Sequence, residues 1–166
     1  MSQPPRVLFL ADAGPLVGGG HVMRCLTLAR ALSEREAECA FVESRAAAQV
    51  LGRFGWPAQA VVAMANTEDL AGLVRWGGAF AGSFQPDIVV VDHYGAGAAE
   101  EAVLRGSGRR IAVIDDLADR PHACDLLLDP GFGRRREDYA GLVGETCEVL
   151  AGPDYALVRP EFADAR

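Results

Sequence analysis

Short apolar runs alternate along the chain with segments in which apolar residues recur every three or four positions. Arg6 to Ala11 (RVLFLA), Cys39 to Glu43 (CAFVE), Gln59 to Met64, Asp87 to Asp92 (DIVVVD), Arg110 to Asp115 (RIAVID), Asp125 to Leu128 (DLLL) and Cys147 to Leu150 read as strands. After Gly18-Gly19-Gly20, the spacing of Val22, Cys25, Leu26, Ala29 and Leu32 predicts a helix. Further helices are expected at Ala46 to Phe54, from the cap Asn66-Thr67-Glu68-Asp69 toward Phe84, at Ala98 to Leu104 and, as a short one, at Glu137 to Leu142. Gly77-Gly78 weakens the second of these. Most of the strands lack a polar face, which implies a parallel sheet covered on both sides. With right-handed crossovers this is an α/β fold, a doubly wound, Rossmann-like three-layer sandwich. Tyr155 to Phe162 is an apolar stretch that no further element follows.

Composition narrows the function. The 166 residues suit one domain, and 50% apolar with 23% charged residues is the balance of a globular protein. The net charge is −7, and every basic side chain apart from the histidines is arginine. Such an acidic domain is a poor partner for nucleic acid or an anionic membrane. With no lysine, a P-loop lysine, a Schiff base and a lysine general base are all excluded within this sequence. Cys25, Cys39, Cys124 and Cys147 show no C-x-x-C spacing and read as buried thiols in a reducing compartment. The first residues lack a signal peptide's pattern, and no apolar run approaches the ~20 residues of a membrane helix. A cytoplasmic protein is expected.

Ligands of doubly wound sheets bind at the carboxyl ends of the strands. That rim collects Asp12 to His21, Glu43-Ser44, Asp92 to Gly95, Asp115-Asp116 and Asp129 to Gly133. The glycines before the first helix permit close backbone approach to a ligand, and the helix N-terminus favours an anion. His21 stands in that first turn, with Arg24 one turn on along the same face; both influences disfavour the imidazolium and suit a general base. A plain tight turn with a surface histidine is the alternative. As a dinucleotide fingerprint the loop fails at Met23, where the third glycine would stand, although Glu43 could hold a ribose.

Asp92-His93-Tyr94-Gly95 follows the strongest strand. Tyr94 suits a substrate hydrogen bond, and His93 is either a second base or structural. Asp92 is expected to bond the backbone, with catalysis as the alternative. Asp115, Asp116 and Asp119 could bind Mg²⁺ or share a proton, but are read as turn caps. His122 and Cys124 are too few for zinc. G-x-S-x-G does not occur, which argues against a serine hydrolase.

Taken together, GGGHVMRCLTLARAL (Gly18 to Leu32), VDHYG (Val91 to Gly95), IDDLADRPHACDLLLD (Ile114 to Asp129) and LAGPDYALVRPEF (Leu150 to Phe162) resemble the PseG family. These are nucleotide-sugar hydrolases of the pseudaminic acid pathway, related to MurG-like glycosyltransferases and of GT-B architecture. The resemblance runs from Val7 to Phe162. It implies hydrolysis of a UDP-linked diacetamido-trideoxy sugar to free sugar and UDP, without a metal or cofactor. It implies His21 as the base that activates water and Tyr94 as an active-site tyrosine. Gly19 and Gly20 would face the sugar and diphosphate, with Arg24 and His93 beside them. GT-B enzymes close their site between two Rossmann-like domains, the second of which holds UDP. By that measure residues 1–166 are an N-terminal half-site, expected to turn over little alone and to need a C-terminal domain in cis or in trans. A glycosyltransferase domain and a non-catalytic domain awaiting a partner chain are the alternatives.

Overall fold

Strands with no polar side must be buried on both faces, and the arrangement of this chain achieves it. The computed structural model describes residues 3–15, 17–42, 44–57, 61–62, 70–72, 74, 84–106 and 108–163. The strands are β1 (Arg6–Ala11), β2 (Glu38–Val42), β3 (Val61–Val62), β4 (Ile88–Asp92), β5 (Arg110–Ile114), β6 (Leu126–Asp129) and β7 (Glu148–Ala151). They form one sheet in the order β3-β2-β1-β4-β5-β6-β7, and every pairing is parallel. The helices are α1 (Gly20–Ser33), α2 (Arg45–Arg53), α3 (Ala98–Arg105) and the single turn α4 (Pro160–Ala163). Residues 70–72 and 74 are also helical.

Alternate residues of each strand feed different cores. Val7, Phe9, Phe41, Val90 and Leu128 pack with Val22, Cys25, Leu26 and Ala29 of α1 and Ala47 and Leu51 of α2. Leu8, Leu10, Val89, Val91, Val113 and Leu127 pack on the other face with Leu104 of α3, Val74 and Tyr139. The doubly wound α/β sandwich read from the sequence is therefore the observed fold.

Strand and helix ends differ from expectation by a residue or two, where capping decides them: Ser44 caps α2 by accepting from the Ala47 N–H. Two differences are larger. The short helix expected at Glu137 to Leu142 is a 3₁₀ turn at Arg136–Tyr139, because Asp138 accepts from the Arg135 N–H and Tyr139 turns inward. The other lies after β7, where the stretch read only as apolar carries a 3₁₀ turn at Pro153–Tyr155 and the turn α4. Of the expected third strand only Val61–Val62 falls within the described residues, and the cap at Asn66 to Asp69, Gly77-Gly78 and Glu43 lie outside them.

Sheet order places the site. The chain runs outward from β1 through β2 to β3, then returns to the centre and runs the other way from β4 to β7. The direction reverses between β1 and β4, and the carboxyl ends at such a switch point are where sheets of this kind bind ligands. Ala11 pairs with Asp92 at that point, and the Asp12 N–H donates to the Asp92 carbonyl at 2.8 Å.

Candidate functional site

The turn from β1 into α1 uses its glycines differently. Gly18 adopts φ +71°, the left-handed region that favours glycine. Gly19 is the N-cap with an ordinary φ, and a Cβ there would stand 3.2 Å from Val50 of α2, so glycine lets the two helices approach. At Gly20 a Cβ would meet nothing, which leaves open space beside the first helical turn. No side chain caps α1, so its first N–H groups are not occupied by a cap. A groove of about 420 Å³ lies between this turn and α2, lined by Ala13, Gly14, Gly18, Arg45 and Gln49 among others. Another of about 350 Å³ runs between α1 and the terminal segment, lined by Gly20, Met23, Arg24, Val158 and Phe162 among others.

His21 falls on the stripe of α1 that faces the sheet and is only 4% exposed. Its Nδ1 lies 2.5 Å from Oδ1 of Asp92, the last residue of β4. Asp92 is fully buried and accepts from the Nε and Nη2 of Arg24, each at 2.6 Å, and from the Cys25 thiol at 3.6 Å. The expectation that this carboxylate bonds the backbone is thus corrected: three side chains of one helix converge on it. Helical periodicity explains why, since positions 21, 24 and 25 share a face. Burial works against ionisation of Asp92, but the bonds from Arg24 and His21 outweigh it and hold the carboxyl below its usual range. Burial likewise disfavours the Arg24 cation, and the bonds to Asp92 and Asp116 overcome that and keep it charged. With an ionised acceptor at Nδ1, the network assigns a proton to Nδ1, so Nε2 is the nitrogen left to exchange a proton with a ligand. The geometry is that of a base oriented by a carboxylate.

Tyr94 meets His21 edge-on, with ring centroids 4.5 Å apart and planes at 89°. Its phenol is pushed up, by burial first and then by the Asp116 carboxylate, so it stays protonated at neutral pH. Arg24 donates through Nη1 to the same Asp116 at 2.8 Å. His93 is differently placed. Its Nδ1 accepts from the Gly95 N–H at 3.0 Å, which leaves its proton on Nε2. Burial above all lowers its pKa despite Asp12 nearby, so His93 is a neutral donor. A second base is not what this tautomer offers.

The Asp115-Asp116-Asp119 cluster divides. Asp115 is a turn cap, accepting from the Leu117 and Ala118 N–H groups at 3.2 and 2.8 Å, and it also accepts from the Tyr139 hydroxyl at 2.9 Å. Asp119 is exposed and pairs with Arg120. Asp116 belongs to the site, a role the cap reading missed; its place next to a capping residue on the rim was the available signal. His122 lies in the core, bonded to Glu101 at 2.6 Å, and Cys124 faces Cys147 at 3.5 Å. Among the described residues no three His, Cys, Asp or Glu side chains are grouped to hold a metal. Among them, no helix is long and apolar enough to cross a membrane.

The structure therefore brings together His21, Arg24 and Tyr94 and adds Asp92 and Asp116. Gly19 and Gly20 border them, and His93 stands beside them. No family model matches the chain. The chain is similar to the UDP-2,4-diacetamido-2,4,6-trideoxy-β-L-altropyranose hydrolase of Campylobacter jejuni, at 30% identity over 158 residues. That alignment covers 95% of this chain and 53% of the relative, so the chain spans about half the length of the protein it matches. The resemblance carried by the motifs is thereby shown over nearly the whole chain, in a form consistent with an N-terminal domain.

Proposed function

We propose, from this likeness and from the site it covers, that the chain supplies the N-terminal half-site of a UDP-sugar hydrolase acting in pseudaminic acid synthesis. The reading assigns the reaction of the relative, release of UDP from a UDP-linked diacetamido-trideoxy sugar, to a site completed by a second, UDP-holding half in cis or in trans. One observation carries it: Asp92 holds His21 through Nδ1, which leaves Nε2 for the reacting water. An imidazole so fixed can, in its neutral form, take the proton of a water at Nε2 as that water attacks the sugar. The sugar–diphosphate bond breaks, UDP leaves with the bonding electrons, and His21 returns the proton to solvent. Tyr94, Gly19, Gly20, Arg24 and His93 would shape the pocket. Arg24 contributes by holding Asp92 ionised, Tyr94 by walling the imidazole, and His93 by offering its Nε2–H to an acceptor on the substrate.

Support for a second half comes from the surface. Tyr94, Leu117, Phe132, Tyr155, Val158 and Phe162 are exposed, and all follow the carboxyl ends of strands β4 to β7. Phe132 is 97% exposed. Apolar side chains grouped in this way favour a covering partner. The proposed setting is the cytoplasm, where nucleotide sugars are made, with no role for nucleic acid or membrane.

UDP release from the UDP-sugar tests the reading. The chain alone should turn over little. Joined to or mixed with a UDP-binding half from the relative it should hydrolyse the sugar nucleotide, and His21→Asn should remove that activity. Hydrolysis that survives His21→Asn, or none in any combination, overturns the proposal.

A further inference from the structure

The loop from β4 to α3, residues 93–97, carries both His93 and Tyr94, yet it lies outside any strand or helix. Its local bonds are few. Ala96 donates to the His93 carbonyl at 3.0 Å, and the Ala98 N–H reaches the Pro121 carbonyl at 3.0 Å. The Gly95 N–H donates to His93 Nδ1 and the Gly97 N–H to Glu100 Oε2, each at 3.0 Å. Arg120 adds bonds from outside the loop. Its Nε donates to the Ala96 carbonyl at 2.6 Å and its Nη2 to the His93 carbonyl at 3.4 Å. Those two carbonyls bracket Tyr94 in sequence. The same guanidinium is held from behind by Asp115, with Nη2 2.9 Å from Oδ1, and at its edge by Asp119 at 2.9 Å.

We propose that Arg120 is a positioning residue, a clamp that fixes the loop bearing Tyr94 and so sets the wall against which the His21 imidazole stands. The inference rests on the hydrolase reading for its catalytic consequence, but its structural part does not. Asp115 is suited to anchor such a clamp. It is fully buried, and the Leu117 and Ala118 N–H groups and the Tyr139 hydroxyl fix its other oxygen. Tyr139 is itself fully buried beneath the sheet. The rigid end of β5 is thereby coupled through one cation to the loop at the end of β4. Only arginine has the planar fork to meet two carbonyls and two carboxylates at once; lysine, a single point charge, does not. The bonds of Arg120 run to backbone carbonyls of the loop and to Asp115 and Asp119, not to the side chains of His21 or Tyr94. Its effect passes through the backbone on either side of Tyr94, where a displacement of an ångström is enough to lower turnover.

Two variants separate the clamp from a general structural role. Arg120→Lys keeps a charge opposite Asp115 and Arg120→Met removes it. In hydrogen–deuterium exchange on the chain as it stands, the Gly95 and Ala96 amides should exchange at least about tenfold faster in Arg120→Lys, while those of β4 stay protected. In the completed enzyme, Arg120→Lys should lower kcat about tenfold with Tyr94 present, but less than about threefold in a Tyr94→Phe background, because two residues acting through one geometry are not additive. Unchanged loop exchange, or an equal kcat loss in both backgrounds, overturns the clamp. If no combination hydrolyses the sugar nucleotide while the loop exchange rises as stated, the hydrolase reading falls and the structural clamp stands.

Discussion

The Nδ1 of His21 and the Oδ1 of Asp92 stand 2.5 Å apart across the switch point of the sheet, although 71 residues separate them in the chain. Arg24, one turn beyond His21, closes on both oxygens of the same carboxylate. One ion pair thus orients the imidazole and neutralises the buried charge that orients it. Asp92→Asn turns an acceptor into an amide whose NH₂ opposes either His21 or Arg24. It should cost about 3 kcal/mol, the low end for breaking a buried pair, because Arg24 keeps Asp116. Hydrolysis by the completed enzyme should fall by roughly 10²-fold or more. Urea unfolding and UDP release measure the two effects.

Acid should weaken the fold. Asp92 is held low by Arg24 and His21 against the effect of burial, and Asp115 by the Ala118 N–H, Tyr139 and Arg120 against the same effect. Unfolded aspartates titrate near ~3.9. As pH falls through that value, the unfolded chain takes up protons that the native carboxylates still refuse, so stability present above it is lost. The thermal midpoint should be flat near neutrality and drop below about pH 4. Asp115→Asn should lower the midpoint at neutral pH and make the acid drop shallower. An unchanged slope would remove Asp115 from this account.

Glu36 sits at φ +66° just past the end of α1, a conformation that costs a side chain with a Cβ. The backbone there ends the helix, with the Ala37 N–H on the Leu32 carbonyl. Glu36→Gly should stabilise the protein by up to about 1 kcal/mol. A rise in the urea midpoint with an unchanged slope is the expected result.

All four thiols are buried, and burial raises the pKa of each. Thiolates react and thiols do not. Ellman's reagent at pH 8 should therefore find almost no reactive thiol in the native chain and four after denaturation. A fast-reacting thiol in the native protein would contradict this packing.

Element order and type were legible because apolar period and turn residues are local properties. RVLFLA and DIVVVD have no polar side, and a strand without one can lie only inside a covered parallel sheet. His21, Arg24 and Tyr94 were legible from their positions on the rim and from their motifs. Asp92 and Asp116 were misjudged because a carboxylate at a strand end looks alike whether it caps a turn or anchors a base. For His93 the sequence left a second base and a structural role open, and the choice depends on the Gly95 N–H that occupies its Nδ1.

The sequence by itself determined the alternation of strand and helix, the two buried faces, and the gathering of polar residues after the strands, since each follows from spacing along one chain. Only the tertiary structure decided which of those polar residues meet. Pairing β1 with β4 sets Asp92 beneath the first turn of α1, and pairing β5 with β4 brings Arg120 to the loop of Tyr94. Such contacts span tens of residues and depend on register between strands, which no local pattern encodes.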